Sequence, residues 1–363
     1  MKVGFIGLGL IGGSIAKAIR KKYPEAEITA FDKDTESLNL ALASGTVSHI
    51  AETIDDSFSE CEFIFLCAPV HSNTEYLACI KKYLSDRTIL TDVGSVKGDI
   101  HRAVSDAGLN PWFIGGHPMA GSEKSGFSNA NDHLIENAYY ILTPAEGTPD
   151  TKAEFLSKFV GSLGAIPLLL TPQQHDYVTG AISHLPHIIA SSLVNLVNDS
   201  DSKDGIMKMI AAGGFKDITR IASSSPDMWE QILLTNHANI STLLSQYMVS
   251  LQQVKEQIDH LDGAAIHRFF ERSRDYRNSF ADLPAGPIKK IYAVYCDIID
   301  ESGAIATIAT ILATNGISIK NIGIVHNREF EDGALRIEFE TQEEAQQAAH
   351  LLEKHRYIIY KRI

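Results

Sequence analysis

Lys2-Val-Gly-Phe-Ile6 leads directly into Gly7-Leu-Gly9-Leu-Ile-Gly12-Gly13-Ser14, and a helical pattern covers Ile11–Lys22. An apolar strand, a glycine loop and a helix in that order make the first half of a dinucleotide-binding βαβ unit. Gly7 permits a tight turn. Gly9 lets backbone N–H groups approach a pyrophosphate, and Gly12 lets helix and strand pack closely. Leu10 and Ile11 sit where the helix N-terminus would face the phosphates. The second strand candidate, Glu27–Asp32, ends in a carboxylate twenty residues after Gly12. Asp32 would accept hydrogen bonds from the adenosine ribose and repel a 2′-phosphate, which favours NAD. Lys33 beside it leaves NADP disfavoured but open. A glycine-rich turn without a ligand is the plainer alternative, but strand, loop, helix and acid all agree.

Outward from that loop, the strand candidates are Val3–Gly7, Phe63–Ala68, Thr88–Val93, Trp112–Gly116, Ala138–Leu142 and Ile166–Leu170, with helices between several of them, such as Lys152–Leu163. Continuous apolar strands separated by helices predict a doubly wound, mostly parallel sheet covered on both faces. A Rossmann-like α/β domain over residues 1–170 is expected. Strand signals then vanish. Thr171-Pro172 and Ser225-Pro226 each read as an N-cap followed by proline in the first turn. Ile188–Val197 is apolar on more than one side, so a helix there needs helical neighbours or a partner subunit. An all-helical dimerisation domain is expected over 171–281, giving a homodimer. Asp282-Leu-Pro-Ala-Gly-Pro287 is a linker candidate. Residues 288–363 order strand, helix, strand, strand, helix, strand, the ferredoxin-like βαββαβ plan. Asn315-Gly316 is a helix stop there, and Glu331-Asp332-Gly333 a turn between strands.

The 363 residues suit two or three domains of ~150 residues each. With 44% hydrophobic and 21% charged residues, the composition is that of a globular protein with a core. The balance of 32 basic against 45 acidic residues, a net charge of −13, argues against nucleic acid or an anionic membrane as the main partner. No stretch is expected to approach the ~18 apolar residues of a membrane span, and the N-terminus lacks the pattern of a cleavable signal. Cys61, Cys67, Cys79 and Cys296 form no CxxC pair, so a reduced, cytoplasmic protein without structural zinc is expected.

In a doubly wound sheet the C-terminal strand ends line the ligand crevice. Cys67-Ala68-Pro69-Val70 ends one strand, so Ala68 and Pro69 either touch the cofactor or simply terminate the strand. Asp92-Val-Gly94-Ser95-Val-Lys97 ends another, and Gly115-Gly116-His117-Pro118-Met119-Ala120-Gly121-Ser122-Glu123 the next. His117, whose backbone is shaped by a turn, is the candidate general base, since histidine suits proton transfer near neutral pH. Ser95 would hold that imidazole or the substrate hydroxyl, or else cap the following helix. His175, Asp176, His184 and His187 fall on one helix candidate, on which Asp176, Ser183 and His187 share a face. Pro186 would kink it. His184 with His187 lacks a third ligand at clear spacing, so no metal is expected.

These motifs together resemble prephenate dehydrogenase. The glycine-rich start, DVGSVK, GGHPMAGSEKSG, SHLPH and GGFKDITRIA carry the likeness in order from Met1 to about Phe280. The resemblance implies NAD-dependent oxidative decarboxylation of prephenate to 4-hydroxyphenylpyruvate, on the route to tyrosine. It implies that His117 is the catalytic histidine, with Ser95 beside it and Glu123 and Ser122 lining the site. It also implies that Arg220 grips a substrate carboxylate, as a guanidinium fork can, against the alternative of a surface pair with Asp217. His187 becomes a substrate-side or gating histidine, against a satisfied buried one. Trp229 is open between reaching a neighbouring subunit's site and packing in the core. Residues 288–363 resemble an ACT domain, which implies tyrosine as a feedback inhibitor near Asp300, Ser302, Gly303, Asn321 and Ile322. A passive dimerisation module is the alternative there.

The nearest rival is an arogenate or dual-specificity cyclohexadienyl dehydrogenase, which differs at the side-chain end of the substrate. A β-hydroxyacid dehydrogenase would instead use a lysine from the helical domain. A non-catalytic sensor would have no need of His117 or Arg220.

Overall fold

Phe63-Ile-Phe-Leu66 has no polar side, and none of its four side chains is reached by solvent. Such a segment can lie only in the middle of a sheet with both faces covered. The computed structural model describes residues 1–121, 124–280, 292–298, 303–325 and 334–360, without the side chains of Val70, His71 and Thr74. The chain folds as two compact units, Met1–Ser279 and Phe280–Ile363.

The first unit opens with strand β1 (Lys2–Ile6), helix α1 (Leu10–Lys22), β2 (Glu27–Phe31), α2 (Thr35–Ala43) and the two-residue β3 (His49–Ile50). Then follow β4 (Phe63–Leu66), α3 (Val70–Ile80), β5 (Ile89–Asp92), α4 (Gly98–Asp106), β6 (Phe113–Pro118), β7 (Tyr139–Pro144), α5 (Asp150–Ser162) and β8 (Ile166–Leu169). They form one eight-stranded sheet in the order β3-β2-β1-β4-β5-β6-β7-β8. All pairings are parallel except β6 with β7. The first six strands therefore have the doubly wound order whose switch point, between β1 and β4, opens a crevice at the strand C-termini. Two apolar cores cover the faces, one around Phe5, Ile15, Phe65 and Phe159, the other around Ile64, Leu90, Ile100 and Phe113.

Beyond the sheet the unit is helical: α6 (Pro172–Thr179), α7 (Leu185–Ser200), α8 (Ile206–Ile210), α9 (Gly213–Thr219), α10 (Pro226–Thr235), α11 (His237–Asp259) and α12 (Gly263–Ser279). Thr171 caps α6 as its sequence predicts. Its hydroxyl accepts from the Gln174 amide, and the Gln174 side chain accepts from the Thr171 amide. Ser225 caps α10 through the Met228 amide.

A π-helical turn, Gly180–His184, joins α6 to α7 just before Pro186. That wide turn corrects the expectation of one regular face. The extra residue rotates everything after it, so Asp176 and His187 do not point the same way. Through this turn the helix runs unbroken from Pro172 to Ser200, long and apolar enough by length and composition to cross a membrane. The expectation that no such stretch exists is thereby corrected. Buried His175, Asp176 and His184 on the same helix bond to polar groups of the sheet and of neighbouring helices, which ties it to the protein.

The second unit contains β9 (Tyr292–Asp297), α13 (Ala304–Thr314), β10 (Asn321–Val325), β11 (Ala334–Phe339), α14 (Gln342–Lys354) and β12 (Ile359–Tyr360). Its antiparallel sheet has the order β10-β11-β9-β12, the ACT-like arrangement read from the sequence. Asn315 caps α13 and Gly316 follows at φ +72°, as the helix stop requires. The linker Asp282–Pro287 and the turn Glu331–Gly333 lie outside the described residues.

Candidate active site

The glycine loop is built by close approach. Gly7 has φ +95°, and a Cβ there would lie 2.4 Å from the Ala68 amide nitrogen. Around Gly9 a Cβ would meet nothing within 4 Å, so the loop is open where a ligand backbone would run. Gly9 is the N-cap of α1 and supplies no side chain to its first amides, which include those of Leu10 and Ile11. A Cβ on Gly12 would meet the Gly7 carbonyl at 2.8 Å and the Cys67 Cβ at 2.9 Å. Asp32, just beyond β2, is partly open to solvent. Its carboxylate accepts from the Leu8 amide at 2.5 Å and the Asp34 amide at 2.8 Å, which fixes it beside the loop. Ala68 and Pro69 follow β4, with Pro69 as the N-cap of α3. An open glycine loop, uncapped helix amides and an anchored carboxylate fit a dinucleotide.

His117 lies on β6, which extends two residues past the expected Gly116 and pairs His117 with Ile141. The expectation of a turn at His117 is corrected by that extension. The glycine before it is required by space, since a Cβ on Gly116 would lie 2.5 Å from the Asp92 carbonyl oxygen. Beneath the site, fully buried Lys97 donates to Asp92 Oδ2 at 2.5 Å and to the Gly116 carbonyl at 2.7 Å. Asp92 also accepts from the Gly94 and Gly116 amides. This ion pair clamps the ends of β5 and β6 together. Burial lowers the Lys97 pKa, against the opposing pull of Asp92 and Asp176.

The helical wall supplies the rest. His117 Nδ1 lies 2.8 Å from His175 Nε2, and His175 Nδ1 lies 2.7 Å from Asp176 Oδ1. Asp176 also accepts from the Lys97 amide at 2.7 Å and the Gly98 amide at 2.8 Å, so it caps α4 from the other side of the crevice. Lys97 is the N-cap of that helix and its side chain does not cap it. Ser95 is partly exposed, and the alternative role as helix cap falls to Asp176 instead. Burial, then the neighbouring His175, Lys97 and His184, push His117 well below the ordinary histidine value. That shift favours the neutral ring.

His187 stacks on Trp229 with ring centroids 3.8 Å apart, and its Nδ1 donates to the Ser183 carbonyl at 2.9 Å. Burial lowers its pKa, and the Arg220 charge, just past α9, lowers it further, so these two sequence candidates are neighbours. His184 meets the Trp229 ring edge-on and the Asn236 side chain at 3.1 Å, and burial takes its pKa down to about 4. Ser122, Glu123, Asp300 and Ser302 lie outside the described residues. Gly303 precedes α13 at φ +96°, and Asn321 and Ile322 open β10. No group of three His, Cys, Asp or Glu side chains is placed to hold a metal among the described residues. The structural parts of Lys97 and His175 were not read from the sequence. An adjacent His-Asp pair near a helix start was the only local signal for the second.

Residues 15–168 match the family model described as prephenate dehydrogenase, nucleotide-binding domain, and 171–272 that described as prephenate dehydrogenase, dimerization domain. The prephenate dehydrogenase of Bacillus subtilis (strain 168) is 37% identical over 349 residues, spanning 96% of this chain and 94% of the relative. A solved prephenate dehydrogenase from A. aeolicus, in complex with hydroxyphenyl propionate and NAD+, has a TM-score of 0.72 at 32% identity, covering 77% of this chain and 98% of that one. The Synechocystis arogenate dehydrogenase structure has a TM-score of 0.70 at 28% identity, covering 77% of this chain and all of that one. This chain belongs to the prephenate dehydrogenase family.

Proposed function

We propose that this protein oxidises prephenate with NAD and releases carbon dioxide, giving 4-hydroxyphenylpyruvate for tyrosine synthesis. The observation that carries the reading is His117 near the C-terminal end of β6, its Nδ1 2.8 Å from His175 Nε2. When bound, NAD supplies the hydride acceptor. Gly7, Gly9, Leu10, Ile11 and Gly12 would hold its pyrophosphate and Asp32 its adenosine ribose, with Ala68 and Pro69 beside it. His117 takes the proton from the ring hydroxyl as the hydride leaves that carbon. The ring then loses its carboxylate, because aromatisation favours that loss. Ser95 helps orient the hydroxyl. Arg220 grips a substrate carboxylate, and His187, stacked on Trp229, stands on the same side. By resemblance Ser122 and Glu123 complete the lining.

The helical region assembles a homodimer, and its exposed apolar side chains support that reading. Leu196 is 62% exposed and Ile210 71%. Tyrosine would act through the second unit near Asp300, Ser302, Gly303, Asn321 and Ile322. Four free cysteines suit a reducing compartment, the cytoplasm.

The test is NADH formation at 340 nm with prephenate and, separately, arogenate, each with and without tyrosine. Activity on prephenate, suppressed by tyrosine, is expected. Activity on arogenate alone would move the assignment to the rival specificity, and inactivity on both would remove it.

A further inference from the structure

We infer that His175 and Asp176 are positioning residues that set the tautomer of His117 and draw its newly acquired proton inward, a role that rests on reading His117 as the base. Asp176 receives the Lys97 and Gly98 amides, and backbone amides only donate. Burial alone would raise its pKa, but the His175 hydrogen bond and those two amides hold it below the ordinary value. Asp176 is therefore an anion, and His175 Nδ1 must be the donor in the 2.7 Å contact.

With one ring proton on His175 committed to Asp176, a neutral His175 offers the lone pair of Nε2, and His117 donates to it from Nδ1 across 2.8 Å. The lone pair of His117 is thereby fixed on Nε2. Between two neutral rings, any other assignment sets two hydrogens, or two lone pairs, against each other.

The chain of groups also offers an exit for charge. The substrate proton bonds to His117 Nε2. The Nδ1–H bond of His117 can then break as an N–H bond forms at His175 Nε2. One proton enters the pair and none leaves, no oxidation state changes, and the positive charge comes to rest against Asp176. The other ionisable groups that act on His117, Lys97 and His184, both disfavour charge on its ring. Lys97 is already matched to Asp92, and His184 to Asn236. Charge moved to His175 lies one residue closer to the carboxylate that attracts it.

The experiment uses the full-length protein with Asp176→Asn, His175→Gln and His117→Asn. Each is measured for kcat and KM between pH 6 and 9 and for melting temperature, and ¹⁵N-histidine NMR reads the His117 tautomer. Asp176→Asn should lower kcat about a hundredfold or more and move the His117 proton from Nδ1 to Nε2, with both KM values within about threefold. His175→Gln leaves the Asp176 cap on α4 in place, so it should lose a similar factor in kcat while keeping its melting temperature. Loss of kcat only in step with melting temperature, with the tautomer unchanged, would make the pair merely structural and overturn the inference. So would kcat within threefold of wild type in both variants while His117→Asn is inactive. Near-wild-type turnover by His117→Asn would instead remove the base itself, and this inference with it.

Discussion

In the middle of the sheet Phe63, Ile64, Phe65 and Leu66 are wholly hidden, whereas Ile182, Leu196, Met209 and Ile210 in the helical region are 62–73% exposed. The sheet side finishes its own core, pairs buried Lys97 with Asp92, and holds Asp176 of the helical wall by two amides. The helical side leaves much of its apolar surface open. One wall of the active-site crevice is thus completed by a single chain, while the other is shaped for a second surface. The difference teaches where rigidity comes from: the sheet side is fixed within one chain, whereas the dimerization domain leaves apolar side chains for a further surface to cover.

Breaking the sheet side should have the largest effect. Lys97→Met leaves Asp92 buried without its cation and should cost about 3–5 kcal/mol. Urea denaturation at fixed protein concentration reads this, and a cost under about 1 kcal/mol would deny the pair its role. On the helical side, Arg220→Ala should raise the KM for prephenate roughly tenfold to a hundredfold, the worth of about 1.5–3 kcal/mol for a charged hydrogen bond. An unchanged KM would reject the carboxylate grip.

Ile210→Ser should weaken self-association by about 1.5 kcal/mol, if the side chain is buried in the dimer, while leaving the folding of the sheet intact. Sedimentation across a dilution series measures it, and an unshifted dimer would place the interface elsewhere. The most gradual effect is that of pH. Burial holds both His101 and His184 at about 4 in the folded protein. The unfolded chain protonates them near 6.5. Their contribution is complete above that value and is lost as pH falls toward 4. Asp176 is shifted in the same direction, downward, but in the carboxylate range. Its contribution disappears only as pH falls through its lowered folded value, below the histidine range. A urea midpoint that stays flat between pH 6.5 and 4.5 would contradict the histidine part.

The sheet was legible because its signals are local. Strand, glycine loop, helix and acid lie within Lys2–Asp32, and the apolar runs of β4 and β5 need no distant information. The place of His117 at the end of a strand was legible from motif order, whereas its flanking glycines suggested a turn that β6 does not make there. What stayed hidden was contact between segments far apart in the chain. His175 meets His117 across 58 residues, and Asp176 meets the Lys97 amide across 79. Helical periodicity even misled at Asp176, Ser183 and His187, since regular spacing cannot anticipate a π turn. Pro186, which lacks the N–H that would continue the regular ladder, was the clue available.

The cap that Asp176 places on α4 has a consequence for amide hydrogen exchange. First-turn amides of a helix lack intrahelical acceptors and ordinarily trade their protons with solvent quickly. The Lys97 and Gly98 amides are instead held by a carboxylate from the helical wall. Their exchange must wait for sheet and helices to part. Deuterium uptake at these two positions is therefore a clock for the opening of the crevice, readable without substrate or turnover.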